Sequence, residues 1–398
     1  MTGAFGGSSR SLTEAVGAFP DGMEAHFLTP RGTVVPFFEK LGKVISVRGL
    51  SQFDNTEYSY YRGTRWLVIL REVFNLPSTV AALRRAHREW PDIDLVHVNE
   101  FTGLLPMWLA KSLYRVPVVV HVRSVARKDQ KAWRTRMVNW LLRRYADAIV
   151  VIDETVRHSL PPDLPVEVIH NAFTPKPAAE PDRQFLETIE ALRQGSLRVG
   201  FVGNLLKVKG FEDLVDAAFL VKQKGGDVQY LIVGDDARPS TSLRAKLLHK
   251  LGLNQNIKAQ VETKIAGYGL HEDFWMLGFI SDIAQAYHYM DVLCFPSHFN
   301  APGRPVFEAA FSAVPSIVAV TDPTADTLVD GVTGLAIPPH APERLAEAIL
   351  QMAQNREKAK SLGAEALKLA LNNFDVKRNA AKLYAVFEHC TKQAKKTK

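Results

Sequence analysis

The sequence predicts an α/β protein built from two doubly wound domains. Short β-rich apolar runs alternate with amphipathic helical segments along most of the 398 residues. Such alternation indicates parallel sheets covered by helices on both faces. A Pro-rich stretch at 170–182, "HNAFTPKPAAEPD", interrupts the alternation as an interdomain linker does. The division expected is residues 1–171, residues 172–374, and a last helix at 375–398 long enough to cross back to the first domain. Two such domains would leave a cleft between them, with ligands beyond the carboxyl ends of the strands.

In the first half, "DLVHV" (94–98), "PVVVHV" (117–122) and "AIVVI" (148–152) are strands, with "FTGLLPMWLAKSLY" a helix between them. In the second half the strands are "LRVGFV" (197–202), "VQYLIV" (228–233), "DVLCF" (291–295), "SIVAV" (316–320) and "GLAI" (334–337). Helices fall between them. In "FEDLVDAAFLVKQK", Phe211, Leu214, Val215 and Ala218 occupy i, i+3, i+4 and i+7.

Apolar content of 46% and charged content of 23% are those of a globular protein. No apolar run reaches the 18 residues of a membrane span. The start, "MTGAFGGSSR", lacks the basic and apolar blocks of a secretory signal. Cys294 and Cys390 are the only cysteines and are expected to be reduced thiols of a cytoplasmic protein. Net charge is +7, and Arg123–Arg144 alone carries eight basic residues against one acid, Asp129. That segment accounts for the whole basic excess.

Two motifs in the second half carry chemistry. "FVGNLLKVKGFEDL" runs from a strand through a glycine turn to Lys209, Gly210 and a helix start, placing a cation beside free helix N–H groups. The pattern suits a diphosphate, although the P-loop spacing is absent. A solvated lysine before a helix is the plainer reading. In "NAPGRPVFEAA", Pro305 suits the first helical position, Gly303 permits close backbone approach, and Glu308 lies about one turn in. An acid there also favours the helix dipole without any ligand. Together the motifs offer a diphosphate cradle and a bidentate acceptor for a vicinal diol, the two groups of a ribose diphosphate.

With "LIVGDD", "MLGFISD", "MDVLCFPS" and "DGVTGLAIPPHAPERLAEAI", the region Leu197–Ile349 resembles the donor-binding half of retaining glycosyltransferases of family 4, which have the GT-B fold. The first half agrees through "FGGSSRSLTEAV", "DIDLVHVNE", "YRVPVVVHVRS", "YADAIVVID" and "VEVIHNAF". The resemblance implies that Gly203, Asn204 and Lys209 meet the donor diphosphate. It implies that Pro302, Gly303 and Arg304 receive the donor, and that Glu308 binds the ribose hydroxyls. Two departures stand out. Asn204 replaces a frequent arginine, and Asn300 replaces the first glutamate of the family's Glu-x7-Glu, the position facing the transferred sugar.

In the first half, Gly6 and Gly7 match the glycine loop that approaches the donor diphosphate. The family's first strand should precede that loop, yet only five residues do, so a reduced strand, a late start of numbering and a loose chain start are all open. Asp92-Ile93-Asp94 spells a metal-diphosphate motif of the other large transferase fold, but it leads into a strand and is read as incidental. With no His/Cys cluster either, no metal is expected, and Lys209 and helix dipoles would neutralise the leaving group. His97, His121 and Arg123 lie at strand ends. By alignment Arg123 takes the place of a family histidine, as a phosphate or acceptor contact. The segment "RKDQKAWRTRMVNWLLRRYAD" is helical, with Trp133, Met137, Trp140 and Leu141 on one side. It fits a helix lying on an anionic membrane and equally a packed helix with a solvated basic face.

The expected activity is transfer of a sugar from a nucleotide diphosphate sugar to an acceptor hydroxyl with retention, in polysaccharide or cell-envelope glycan synthesis. Arg123, Lys209 and Asn300 would act on the reaction, without cofactor. The expected acceptor is a lipid-linked glycan, and the expected place is the cytoplasm, at the inner face of the membrane through Arg123–Arg144. A non-catalytic homologue that binds a nucleotide or a partner is the rival reading, supported by Asn204 and Asn300. A nucleotide-sugar epimerase of the same fold lacks the extra acid/base carboxylates it would need. A pI near 9.2 without aromatic or motif context does not indicate nucleic acid.

Overall fold

The computed structural model describes residues 3–57, 68–175, 183–234, 257–280 and 283–396. It comprises two compact units, Met1–Thr174 with Phe374–Lys398, and Pro175–Asn373. The first part of the Pro-rich stretch belongs to the first unit, where Ala172 and Phe173 are buried. Its remainder, 176–182, lies outside the described residues.

The first unit contains, in order, α1 (Gly7–Val16), β1 (Ala25–Pro30), α2 (Val35–Glu39), β2 (Gly42–Val47), α3 (Val68–Glu89), β3 (Val96–Val98), α4 (Leu104–Tyr114), β4 (Val118–Val122), α5 (Trp133–Tyr145), β5 (Ala148–Val151), α6 (Glu154–His158) and β6 (Val166–Val168). Strands β3-β4-β5-β6 form one parallel sheet and β1 pairs in parallel with β2. Every residue of β4 is buried, the signature of a central parallel strand. Val118, Val120 and Val122 pack with Met107 of α4 and Val138 and Leu142 of α5. Residues 3–6 enter α1 without forming a strand. Sequence reasoning passed over β1 and β2, whose half-buried runs include His26, Pro30 and Lys43.

The second unit contains α7 (Arg183–Glu190), β7 (Leu197–Val202), α8 (Phe211–Gln223), β8 (Val228–Val233), α9 (Ile257–Gly267), β9 (Phe274–Gly278), α10 (Ile283–His288), β10 (Val292–Phe295), α11 (Arg304–Ala310), β11 (Ser316–Ala319), β12 (Gly334–Ile337), α12 (Pro342–Gln354) and α13 (Arg356–Asn373). Its parallel sheet has the order β12-β11-β10-β7-β8-β9. Phe211, Leu214, Val215 and Ala218 are all buried, so the helical stripe read from sequence is the face α8 turns to the sheet.

The last helix, α14 (Val376–Lys396), belongs to the first unit. Its Leu383, Val386, Phe387 and Cys390 pack with Ala15 of α1 and with Val119 and Val150 on the second face of the sheet. Cys294 and Cys390 are both free and buried.

Candidate active site

The strand order of the second unit reverses between β7 and β10. The chain moves outward from β7 through β8 and β9, then returns to add β10, β11 and β12 on the other side. Ligands of doubly wound sheets bind at the carboxyl ends of the strands flanking such a reversal. The two loops there are Gly203–Gly210 after β7 and Pro296–Gly303 after β10, which are the two motifs singled out in the sequence. They are held together. The N–H of His298 donates to the Val208 carbonyl at 3.0 Å. Gly210 has φ +71, and a Cβ there would stand 1.9 Å from the Pro296 carbonyl oxygen. Both the conformation and the approach demand glycine.

Lys209 ends the single 3-10 turn Lys207–Lys209, immediately before α8. Its Nζ lies 4.9 Å from the ring centroid of Phe299 and 5.5 Å from that of Phe295. The aromatic faces attract the cation but cannot neutralise it. Among the described residues Lys209 has no carboxylate partner, and burial holds its pKa below the ordinary lysine range. A half-buried cation of this kind beside a helix start suits an anion. Gly203 has φ +151, and Asn204 is exposed on the same loop.

Glu308 lies on α11, buried to 2%. Pro305 sits in the first turn of that helix and Gly303 caps it in extended conformation. The carboxylate accepts from the Arg304 Nε, one helical turn back, and from the Tyr287 hydroxyl at 3.0 Å. The pair with Arg304 is almost fully covered, with side chains 10% and 3% exposed. Sequence reasoning assigned Arg304 only as part of a donor-receiving loop. The structure shows that its side chain orients Glu308. The four-residue spacing was the available signal. Tyr287 arrives from α10 and had none.

Asn300 has φ +50, the left-handed conformation that asparagine tolerates better than most residues. Its Oδ1 accepts from the backbone N–H of Thr321, just past β11, at 2.7 Å. The amide thus ties the loop after β10 to the exit of β11. A glutamate would fit this backbone poorly. Pro302 is half-buried on the same loop.

The first unit has a separate polar cluster at the carboxyl ends of β3 and β4. Arg123, 9% exposed, donates from Nε to Asn99 Oδ1 at 2.7 Å and from Nη1 to Asn171 Oδ1 at 2.7 Å, with Nη2 3.3 Å from His121 Nδ1. Glu100 accepts from Phe101 N at 2.9 Å and Ser124 Oγ at 2.7 Å, and burial raises its carboxyl to about 7. His97 is pushed down to about 3, first by burial and then by the Arg123 charge. His121 is held well below the imidazole range for the same reasons. Both are neutral at physiological pH. Asn99 Nδ2 reaches the Ser8 carbonyl at 3.3 Å, which links the cluster to the start of α1. A Cβ at Gly6 or Gly7 would meet nothing within 4 Å, so packing does not require glycine there.

Two family models divide the chain between them. The model for glycosyl transferases group 1 matches residues 182–369, and that for the glycosyl transferase 4-like domain matches residues 6–172. The chain is a group 1 glycosyl transferase. Among relatives, a capsular polysaccharide biosynthesis glycosyltransferase, CapM of Staphylococcus aureus, is 22% identical over 82% of this chain and 83% of its own length. A 2-deoxystreptamine glucosyltransferase of Streptomyces kanamyceticus is 26% identical over 60% of this chain and 62% of its own. The fold is shared with Anabaena HepE, solved in complex with UDP, at TM-score 0.72 and 21% identity, with 98% of each chain covered.

In this glycosyltransferase the basic helix departs from expectation. Trp133, Met137, Trp140 and Leu141 were read as one side of α5. The buried residues are instead Thr135, Val138, Asn139 and Leu142. Trp133 and Trp140 stand in solvent, 66% and 56% exposed, because Val138 and Leu142 take the places against the sheet. Asp92 and Asp94 lie at the amino end of β3, and Asp94 pairs with Lys395 at 3.4 Å.

Proposed function

We propose that this glycosyltransferase binds a UDP-sugar in its second unit and transfers a hexose, with retention, to a hydroxyl of an envelope or capsular glycan. The observation that carries the proposal is Lys209, a half-buried cation at the strand-order reversal with no carboxylate partner among the described residues. The diphosphate would supply its missing counter-charge. Glu308, fixed in orientation by Arg304 and Tyr287, would accept hydrogen bonds from the ribose diol. Asn300 would shape the loop that meets the sugar, and the Pro302–Arg304 backbone would receive the phosphate end. The choice of uracil rests on the UDP bound to HepE, and the glycan class rests on relatives such as CapM.

Leaving-group departure would be assisted by Lys209, a cation aimed where negative charge develops. Attack of the acceptor on the face the nucleotide leaves would give retention without a protein nucleophile, and no cofactor is invoked. In the first unit, Arg123 is held by two asparagine side chains so that its charge is fixed in place, which suits a phosphate or acceptor contact.

Exposed Trp133 and Trp140 beside Arg136 and Arg144 favour a membrane-facing role for α5 over the packed-helix reading, since amphipathic aromatics with basic neighbours suit an anionic interface. Ile69, Leu70, Val73 and Phe74 at the start of α3 add a second exposed apolar set. No helix among the described residues is long and apolar enough to cross a membrane. A panel of nucleotide sugars read by thermal shift and by product anomer tests the whole reading. Stabilisation by one donor with an axial or equatorial outcome matching that donor supports it. Stabilisation without transfer to any envelope extract would support the non-catalytic alternative instead.

A further inference from the structure

Beside the Lys209 loop, the second unit brings together Asp213 from the first turn of α8, His298 after β10 and His340 after β12. One ligand atom from each lies within 4.8 Å of the others, the one such cluster among the described residues. We propose that these three side chains form a binding site for a single divalent ion of the zinc class.

The chemistry of the donor set points to that class. Two imidazoles and one carboxylate suit zinc and other borderline first-row ions, whereas magnesium and calcium take oxygen ligands. His298 Nε2 and Asp213 Oδ2 are already 2.8 Å apart, with side chains only 12% and 18% exposed. Zinc at about 2.0–2.2 Å from each ligand separates ligand atoms by roughly 3.3 Å. The His298–Asp213 contact therefore opens slightly while His340 closes in. The ion would take the place of the hydrogen bond between His298 and Asp213, with the carboxylate offsetting one of its two charges. The His298 and His340 rings lie with centroids 3.6 Å apart and planes tilted by 36°.

The backbone agrees. His340 has φ +57, a conformation that disfavours residues with a Cβ, and the side chain it carries completes the cluster. His340 is exposed, so the ion has an entry path, while the other two ligands are covered. Sequence reasoning expected no metal because no ligand spacing is visible. Asp213 and His298 are 85 residues apart and meet only because parallel strands deliver them to one edge of the sheet. The ion would pin the start of α8 to the loops after β10 and β12, and so would brace the segment Lys207–Lys209 through the His298–Val208 hydrogen bond. It is not assigned a step in transfer.

The test uses the untagged full chain, stripped with chelator and titrated with Zn2+ against a chromophoric competitor. One equivalent should bind with micromolar or tighter affinity and raise the unfolding midpoint. Asp213→Asn and His298→Ala should weaken binding at least tenfold. His340→Gly decides the matter if those variants fold poorly, because glycine takes this backbone without strain. It should keep the fold, weaken Zn2+ at least tenfold and lose the metal-dependent midpoint shift. Excess Mg2+ should not displace Zn2+. Stoichiometric binding that is unchanged in His340→Gly, displacement by Mg2+, or no binding at tens of micromolar would overturn the proposal.

Discussion

Replacing Lys209 by methionine separates binding from folding, because the two should respond in opposite directions. Methionine keeps the length of the side chain and its packing between Phe299 and Phe295, where Nζ now sits 4.9 and 5.5 Å from the ring centroids. The cation has no carboxylate partner among the described residues, and burial already disfavours its charged form. Removing it relieves a desolvation cost and forfeits a cation–π attraction of about 0.5–1 kcal/mol, so apo stability should hold or rise slightly. The diphosphate, in contrast, loses its charged donor. Hydrogen bonds to charged groups are worth about 1.5–3 kcal/mol, so nucleoside diphosphate affinity should fall by roughly ten- to a hundredfold. Calorimetric titration with UDP and a thermal scan of the unliganded protein read both quantities. Unchanged UDP affinity would refute the anion-receptor reasoning. A fall in affinity accompanied by an equal loss of apo stability would show that Lys209 acts only through the fold.

Glu308→Gln should weaken nucleoside diphosphate and sugar nucleotide alike and should destabilise the second unit by about 1–3 kcal/mol, since the covered ion pair with Arg304 is lost. Adding Arg304→Leu should restore the unfolding midpoint but not the affinity; joint recovery would remove Glu308 from the ribose. Asn300→Glu should lose the hydrogen bond to Thr321 and strain the left-handed backbone, lowering turnover while UDP affinity stays within a few fold; a tenfold loss of UDP affinity would place Asn300 on the diphosphate instead. Glu100, raised to about 7 in the folded state from an ordinary 4.5, stabilises the fold below pH 4.5 relative to higher pH, and that contribution is lost as pH rises through about 7. The loss is on the order of 3 kcal/mol, so Glu100→Gln should flatten the fall in unfolding free energy between pH 5 and 8. Parallel curves for the two proteins would contradict the buried-acid assignment.

The parts of this fold that sequence reveals are those where one physical signal dominates. Val118–Val122 and Val228–Val233 are apolar at nearly every position because parallel strands are buried on both faces, and α8 shows a single clean stripe. The β1–β2 pair has no such run, and α3 carries Pro77 inside a 22-residue helix, so neither announces itself. Helix α5 offers two faces with apolar members. Which one is buried depends on what the sheet presents, and Val138 and Leu142 fit it where the bulkier Trp133 and Trp140 do not. At the site, Lys209 and Glu308 were legible because each stands at a helix start next to a glycine turn. Tyr287 and the Asn300–Thr321 contact were not, because they join residues 21 positions apart through sheet order alone.

The most direct test of donor binding and transfer is a labelled-sugar assay. UDP-linked hexoses are incubated with the wild-type chain, with Lys209→Met and with Glu308→Gln, in the presence of an envelope lipid and glycan extract, and label in the extract is counted. Wild type should transfer label from one donor and release UDP in equal amount, while both variants should fall at least tenfold at donor concentrations below saturation. Label transfer that persists undiminished in both variants would contradict the assignment of the second unit's two loops as the donor site.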